Sequence, residues 1–407
     1  MNLINKYIWV VTSSIIILIS IYFSIKEKFP QLNIKHIFKS LKSKSNTNIS
    51  VIESLMMSLA SRIGVGSIAG IALAIKYGGI GSIFWIWIIT ILISSISYIE
   101  SYYGEKYTGG PHYYIAKVLN KKILSRIYAI IMIISYGIGF ITIQTNTIAT
   151  VTKLSININK HIINISILLI SIYFLYSNTN KKSKIVSKIV PIMTLFYFAL
   201  GICVIINNSS IIICLLKEIL KEAISTSSIK GSFIYIFIIG MQRAIFSTEV
   251  AIGTSAISSA MVNTKDNNHG YIQIFGNYIT TFIICTITAL IILSSNYNEY
   301  IDITSNGIEL AFYAFYYHFK DLGQIFIWIC IFLFAISTVI SGFYYGENCL
   351  EYLTKNKKIK NIYKTIVIIF IIISTYINAT EIWILIDISV AILCLINLYA
   401  IIKIYRK

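Results

Sequence analysis

Two interrupted apolar stretches hold the residues best suited to chemistry. The first reads SLASRIGVGSIAGIALAI over 58–75, with Gly64, Gly66 and Gly70 and the hydroxyls of Ser61 and Ser67 near its middle. The second reads GMQRAIFSTEVAIGTSAISSA over 240–260, placing Arg243, Ser247, Thr248, Glu249 and Thr254 at a similar depth. A helix that unwinds in hydrocarbon leaves amides and carbonyls without partners, which is tolerable only where they line a cavity or meet a ligand. Amides freed at a half-helix N-terminus favour a carboxylate, and freed carbonyls favour a cation. A zwitterion such as an amino acid carries both charges and suits such a site. The alternative use of Gly64, Gly66 and Gly70 is a small-residue face for close helix packing.

Other groups extend this chemistry. Arg62, Glu100, Arg243, Glu249, Glu347 and Asp387 lie in or beside apolar runs, where a charge at mid-membrane costs about 2.5–3.5 kcal/mol. Glu100 and Glu347 fall near span ends, within reach of water. Arg243 and Glu249, six residues apart, are placed to pair with each other or with groups on other helices, as a structural pair or a gate. Gln144, Thr145, Asn146 and Thr147 follow the flexible Tyr136-Gly137-Ile138-Gly139, and Ser337-Thr338 offers adjacent hydroxyls to a small hard cation. The same hydroxyls also suit bonds to their own helix. His112, His269 and His318 have no metal-like spacing. No phosphate-cradling loop or nucleophile elbow is present, so no enzyme chemistry is expected.

The elements that must position these groups follow from composition. Of 407 residues, 57% are hydrophobic and 12% charged, too apolar for a soluble core and fitting a polytopic all-α membrane protein. Apolar runs predict eleven spans, near 8–25, 51–75, 82–104, 125–152, 162–177, 186–207, 232–262, 271–294, 323–348, 363–377 and 381–402. The first lacks a small-residue cleavage pattern and reads as a retained span, not a signal peptide. The segment 208–230 carries Lys217, Glu218, Lys221 and Glu222 among leucines and isoleucines, as an interfacial helix does. Connections after odd-numbered spans hold 24 of the 34 Lys and Arg residues and the other side 8, with Arg62 and Arg243 inside spans. That alternation puts the N-terminus outside and the C-terminus in the cytoplasm. It also explains the net charge of +18 without a nucleic-acid partner. The six cysteines show no C-x-x-C spacing and read as packing residues. The two interruptions lie five spans apart, at matching places in two five-helix halves, which is the sequence pointer to a transporter's binding site. An odd number of spans per half makes the second half inverted.

With these residues in view, the chain resembles the sodium:alanine/glycine symporter family of prokaryotes. The motifs carrying the resemblance are SRIGVGSIAGIALAI at 61–75, GGPHYYI at 109–115, Gln144 with Asn146, RAIFSTEVAIGT at 243–254, and AISTVISGFYYGENCLEYL at 335–353. The resemblance implies a LeuT-like five-plus-five inverted repeat with one extra N-terminal helix. Its expected divisions are 1–49 (first span and basic loop), 50–207 (first repeat), 208–230 (amphipathic connection) and 231–407 (second repeat and tail). It implies uptake of small neutral amino acids with sodium, by a monomer in the prokaryotic cytoplasmic membrane with no cofactor beyond Na+. Carried over by position, substrate would meet Gly64, Gly66, Ser67, Gln144, Asn146, Phe246, Ser247 and Thr248. Sodium would meet the carbonyls of Ala60 and Ile63 and the hydroxyls of Ser337 and Thr338.

The chain departs from the family pattern where polarity matters. Val65 and Ser67 stand where the family has Thr and Asn, Thr248 where it has Asn, Ala251 where it has Gly, and Arg62 where it has Thr. A guanidinium at Arg62 can stand in for sodium by pairing with Glu249 or the substrate carboxylate, or can point into a water-filled vestibule. Two other functions therefore stay open: a sodium-independent exchanger or uniporter, and an amino-acid sensor that has lost transport.

Overall fold

Backbone bonds that lipid cannot satisfy must be made within the chain, and helices make them within one segment. The computed structural model describes residues 3–156, 160–224, 233–264, 268–302, 304 and 307–407, and all regular elements among them are helical. α1 (Leu3–Lys26) leads through the short α2 (Ile34–Ser40) to the first interrupted stretch, which forms α3 (Val51–Arg62) and α4 (Val65–Gly78). Next come α5 (Ser82–Tyr107), α6 (Pro111–Val118), and α7 (Lys122–Ile134) joined to α8 (Ile141–Ile156) by a π-helical turn. α9 (Lys160–Leu175), α10 (Thr179–Asn207) and the amphipathic α11 (Ser209–Ile224) complete the first part. The second interrupted stretch forms α12 (Phe233–Thr248) and α13 (Thr254–Ser259). α14 (Asn268–Tyr278) continues through another π-helical turn into α15 (Thr286–Leu293), followed by α16 (Tyr297–Tyr300), α17 (Gly307–Phe319), α18 (Asp321–Leu353), α19 (Lys357–Ile373) and α20 (Ala379–Tyr405).

Among the described residues, eight helical segments are long and apolar enough to cross a membrane. The other three expected spans coincide with the shorter apolar segments Ile165–Leu175 and Phe233–Thr248 and with α19. Local signals set several helix starts. Ser50 and Glu53 form a reciprocal capping box for α3, and Asn178, Asn356 and Asn378 accept first-turn amides of α10, α19 and α20. The apolar window of α3–α4 is wholly buried, whereas only a third of that of α10 is. The broken element is thus the axis of the bundle, and α10 turns Ile192, Leu195 and Ile206 outward. α11 buries Ile212, Leu215 and Ile219, and its Glu222 Oε2 accepts the amides of Ile80 (3.0 Å) and Gly81 (3.2 Å), pinning the corner between α4 and α5. Lys230 and Lys265, counted in the charge alternation, lie outside the described residues.

Candidate functional site

α3 ends at Arg62 and α4 begins at Val65, so Ile63 and Gly64 alone carry the chain across the first break. A Cβ on Gly64 would collide with Thr338 Oγ1 and lie 3.2 Å from Gln144 Nε2, so glycine is what admits α18 and α8 this closely. A Cβ on Gly66 would lie 2.6 Å from Phe246 Cε1. The first amides of α4 have no helical acceptor. Val65 N–H donates to Gln144 Oε1 at 3.1 Å, and Ser67 Oγ donates back to the Gly64 carbonyl at 2.8 Å. A neutral amide oxygen thus sits where a helix N-terminus attracts an anion.

Oxygens also gather at the end of α3, where α18 meets it. Thr338 Oγ1 lies 2.8 Å from the Ala60 carbonyl oxygen and 2.9 Å from that of Phe334, which Ser337 Oγ also approaches at 2.9 Å. Two hydroxyls and two carbonyls from α3 and α18 make a hard donor set suited to a small cation. Ser337 Oγ is also 3.6 Å from Met193 Sδ of α10. Ile63 begins the break and donates its N–H to the Leu59 carbonyl.

The second break runs through left-handed backbone at Glu249 (φ 57°), Ala251 (φ 70°) and Gly253 (φ 105°). For the two side-chain-bearing residues this costs about 1–2 kcal/mol each, so other contacts must hold the segment. Tyr128 donates to the Ile252 carbonyl at 2.7 Å, and Asn397 Nδ2 donates to the Ala251 carbonyl at 2.8 Å and also to Glu100 Oε1. Tyr114 in turn donates to Asn397 Oδ1. Glu100 is therefore fully buried as part of this brace and does not reach water as its place near a span end had implied. Glu347 is partly exposed but pairs with Lys182 and, at 3.8 Å, with Lys364.

The expected ion pairs resolve differently from their sequence spacing. Arg243 does not meet Glu249; its Nη2 lies 3.2 Å from Asp387 Oδ2, which also accepts Gln242 Nε2 at 2.6 Å. Its guanidinium stands over Phe246 (5.7 Å) and Trp383 (5.4 Å). Glu249 Oε2 instead accepts from Ser61 Oγ at 2.7 Å, and Ser61 Oγ is 3.2 Å from Tyr345 OH. Arg62 takes neither the cation position nor a watery vestibule: it is 1% exposed. Its Nη2 donates to Gln273 Oε1 (2.7 Å) and Ser255 Oγ (3.0 Å), and its Nη1 to the Gln273 carbonyl (3.2 Å). The reason is helical geometry, since successive side chains point about 100° apart. With Ser61 aimed at Glu249, Arg62 must face α13 and α14.

Of the expected substrate contacts, Gly64, Gly66, Ser67, Gln144 and Phe246 come together at the first break. Phe246 stacks on Phe140 (centroids 5.0 Å, 13°) and meets Trp383 at 4.8 Å. Ser247 and Thr248 spend their hydroxyls on the Ala244 carbonyl, at 3.1 and 2.7 Å. Asn146 turns away, its Nδ2 donating to the carbonyls of Ser374 (2.6 Å) and Ile377 (3.1 Å) at the α19–α20 corner. Sequence reasoning missed the Phe334 carbonyl, Phe140, Trp383 and Asn397. Phe334 had a signal, because it lies three and four residues before Ser337 and Thr338, where helical hydroxyls bond back.

Comparisons with known proteins bear on the family and the fold. The chain is 31% identical to the amino-acid carrier protein AlsT of Bacillus subtilis over 413 residues, covering 98% of this chain and 88% of that one. It is 31% identical to the probable sodium/glutamine symporter GlnT of the same organism (95% and 84% covered) and 28% identical to the sodium/alanine symporter AgcS of Methanococcus maripaludis (88% and 84%). The fold matches the crystal structure of MhsT in complex with L-phenylalanine, with a TM-score of 0.63 at 11% identity over 88% of this chain and 89% of that one. The fold is LeuT-like. A profile of the sodium:alanine symporter family matches residues 1–407, and the chain belongs to that family of multi-pass, sodium-coupled amino-acid transporters.

Proposed function

We propose that the protein imports small neutral amino acids, alanine or glycine, with sodium by alternating access around the first break. The observation carrying this reading is the meeting, at Gly64, of an anion-attracting α4 N-terminus with a cluster of oxygens from α3 and α18. The substrate carboxylate would displace the Gln144 oxygen from the Val65 amide. The ion would take the oxygens of Ala60, Phe334, Ser337 and Thr338, with the Ile63 carbonyl beside them. The ring of Phe246, backed by Phe140 and Trp383, leaves little room over Gly66, which favours a side chain no larger than a methyl. On this reading α4 and α12 form the outer halves of the broken spans and α3 and α13 the inner halves. The Arg243–Asp387 pair closes the outer route over Phe246, and the Ser61–Glu249 contact ties the inner half α3 to the second break. Residues 50–207 and 231–407 act as the two repeats, and the lysine distribution supports an outside N-terminus and a cytoplasmic C-terminus. An ion that stabilises the substrate-competent state raises substrate affinity there, and the substrate raises the ion's affinity equally.

The test is labelled-alanine uptake into proteoliposomes under an imposed sodium gradient, a proton gradient and none. Accumulation driven by sodium is expected. Gradient-insensitive exchange would replace this reading with a sodium-independent exchanger, and binding without uptake would replace it with a sensor.

A further inference from the structure

α1 lies outside both repeats of the proposed reading, yet its first turn enters the cluster above Phe246. Asn5 is buried, and its Nδ2 is 3.4 Å from Asp387 Oδ2, the same oxygen that accepts Gln242 Nε2 and Arg243 Nη2. Two of these three donors sit on α12, the acceptor sits on α20, and the third donor comes from a helix packed along α5, α12 and α20. We propose that Asn5 is a positioning residue of the outer gate, through which α1 sets how readily the Arg243–Asp387 lid opens.

Opening the gate parts α12 from α20 and changes what surrounds the carboxylate. Gln242 and Arg243 leave together because they share α12. Water entering the opened route replaces part of what the carboxylate loses, yet a hydrogen bond to a charged group still outweighs the same bond to water. Asn5 keeps one donor on Asp387 in the open state, whereas in the closed state it is one of three. Its removal therefore raises the energy of the open gate more than that of the closed one. Closed-state affinity for substrate stays, and the opening step slows. A residue that merely stabilised the fold would give no such split.

The inference rests on the transport reading above, and its test separates the two. In proteoliposomes, Asn5→Ala is expected to lower alanine turnover about tenfold, the size of one bond to a charged group near the low end of its range, with KM unchanged or reduced. Asn5→Gln, which keeps the amide, is expected to restore most of the rate. On an Asp387→Asn background, where the acceptor is neutral, Asn5→Ala is expected to change turnover less than twofold. Asn5→Ser, too short to reach Asp387, supplies the same readout if the alanine variant folds poorly. Hydrogen exchange on the purified proteins, which needs no transport, is expected to slow over 240–247 and 383–390 in Asn5→Ala. Unchanged turnover, or a raised KM at unchanged turnover, overturns the proposal. If the wild type moves no alanine, the transport reading falls, and unaltered exchange in those segments then refutes the gate on its own.

Discussion

Replacing Thr338 by valine keeps the shape of the side chain and removes the oxygen that lies 2.8 Å from the Ala60 carbonyl and 2.9 Å from that of Phe334. Two consequences follow, and they separate experimentally. Without sodium, one buried carbonyl loses its donor, which destabilises the protein by about 1–3 kcal/mol. With sodium, the ion loses one oxygen, an interaction with a charge worth about 1.5–3 kcal/mol, so the sodium needed for half-saturation rises roughly 10- to 150-fold. Thr338→Ser keeps the oxygen and is expected to stay within about threefold of the wild type, a difference of under 1 kcal/mol. The assay is thermal unfolding in detergent over a sodium titration, with choline chloride holding ionic strength, since a ligand bound by the native state stabilises it by RT ln(1 + [L]/Kd). A valine variant whose sodium midpoint lies within twofold of the wild type would refute the placement of the ion between α3 and α18.

Further outcomes follow from neighbouring geometry. Gly66→Leu drives a side chain into the Phe246 ring, whose Cε1 is 2.6 Å from the added Cβ position; alanine uptake is expected at background, with an overpacking penalty of about 1–3 kcal/mol seen in the melting curve of a still monodisperse protein. Gln144→Ala removes the acceptor from the Val65 amide and should destabilise the substrate-free protein by about 1 kcal/mol, while saturating alanine recovers more stability than it adds to the wild type. His318 in α17 donates its Nε2–H to the Ile291 carbonyl at 3.0 Å, and burial lowers its pKa below the ordinary value. Its neutral form is favoured when folded, so the unfolded chain binds the extra proton as pH falls below about 6.5. That stability is present above this pH and lost beneath it; acid melting curves should show it, and His318→Gln should flatten the slope.

Hydropathy made the spans legible because each must satisfy its own backbone in lipid, and glycines among small polar residues located both breaks. Tyr136-Gly137-Ile138-Gly139 marked flexibility, and the chain there winds into the π-helical turn Ser135–Phe140. Less was visible between spans eight and nine, where α17 folds although Glu309 and His318 interrupt its apolar pattern. It forms because it packs on α4: a Cβ on Gly307 would collide with the Ala69 carbonyl, so that glycine is a contact between distant segments. Such a contact leaves no local periodicity to read.

Within the site, residue type was legible and direction was not, although helical geometry supplies part of the answer. Gln144 and Asn146 are two residues apart on α8, so their side chains diverge by about 200° and cannot both line one pocket. The structure gives Gln144 to the first break and Asn146 to the corner of α19 and α20. A single step of about 100° separates the consequences of Ser61 and Arg62. In the sequence, an arginine two residues before the motif's first glycine threatens the cation position, because a fixed positive charge beside sodium is repulsive. In the fold, that charge is drawn to Gln273 and Ser255, while Thr338 Oγ1 and the Ala60 carbonyl keep their own contact on another face of α3. What makes Arg62 compatible with sodium coupling is therefore the polar lining of α13 and α14, from which Ser255 and Gln273 meet it 193 and 211 residues on in sequence. A motif comparison confined to the first break registers the substitution and has no access to its accommodation.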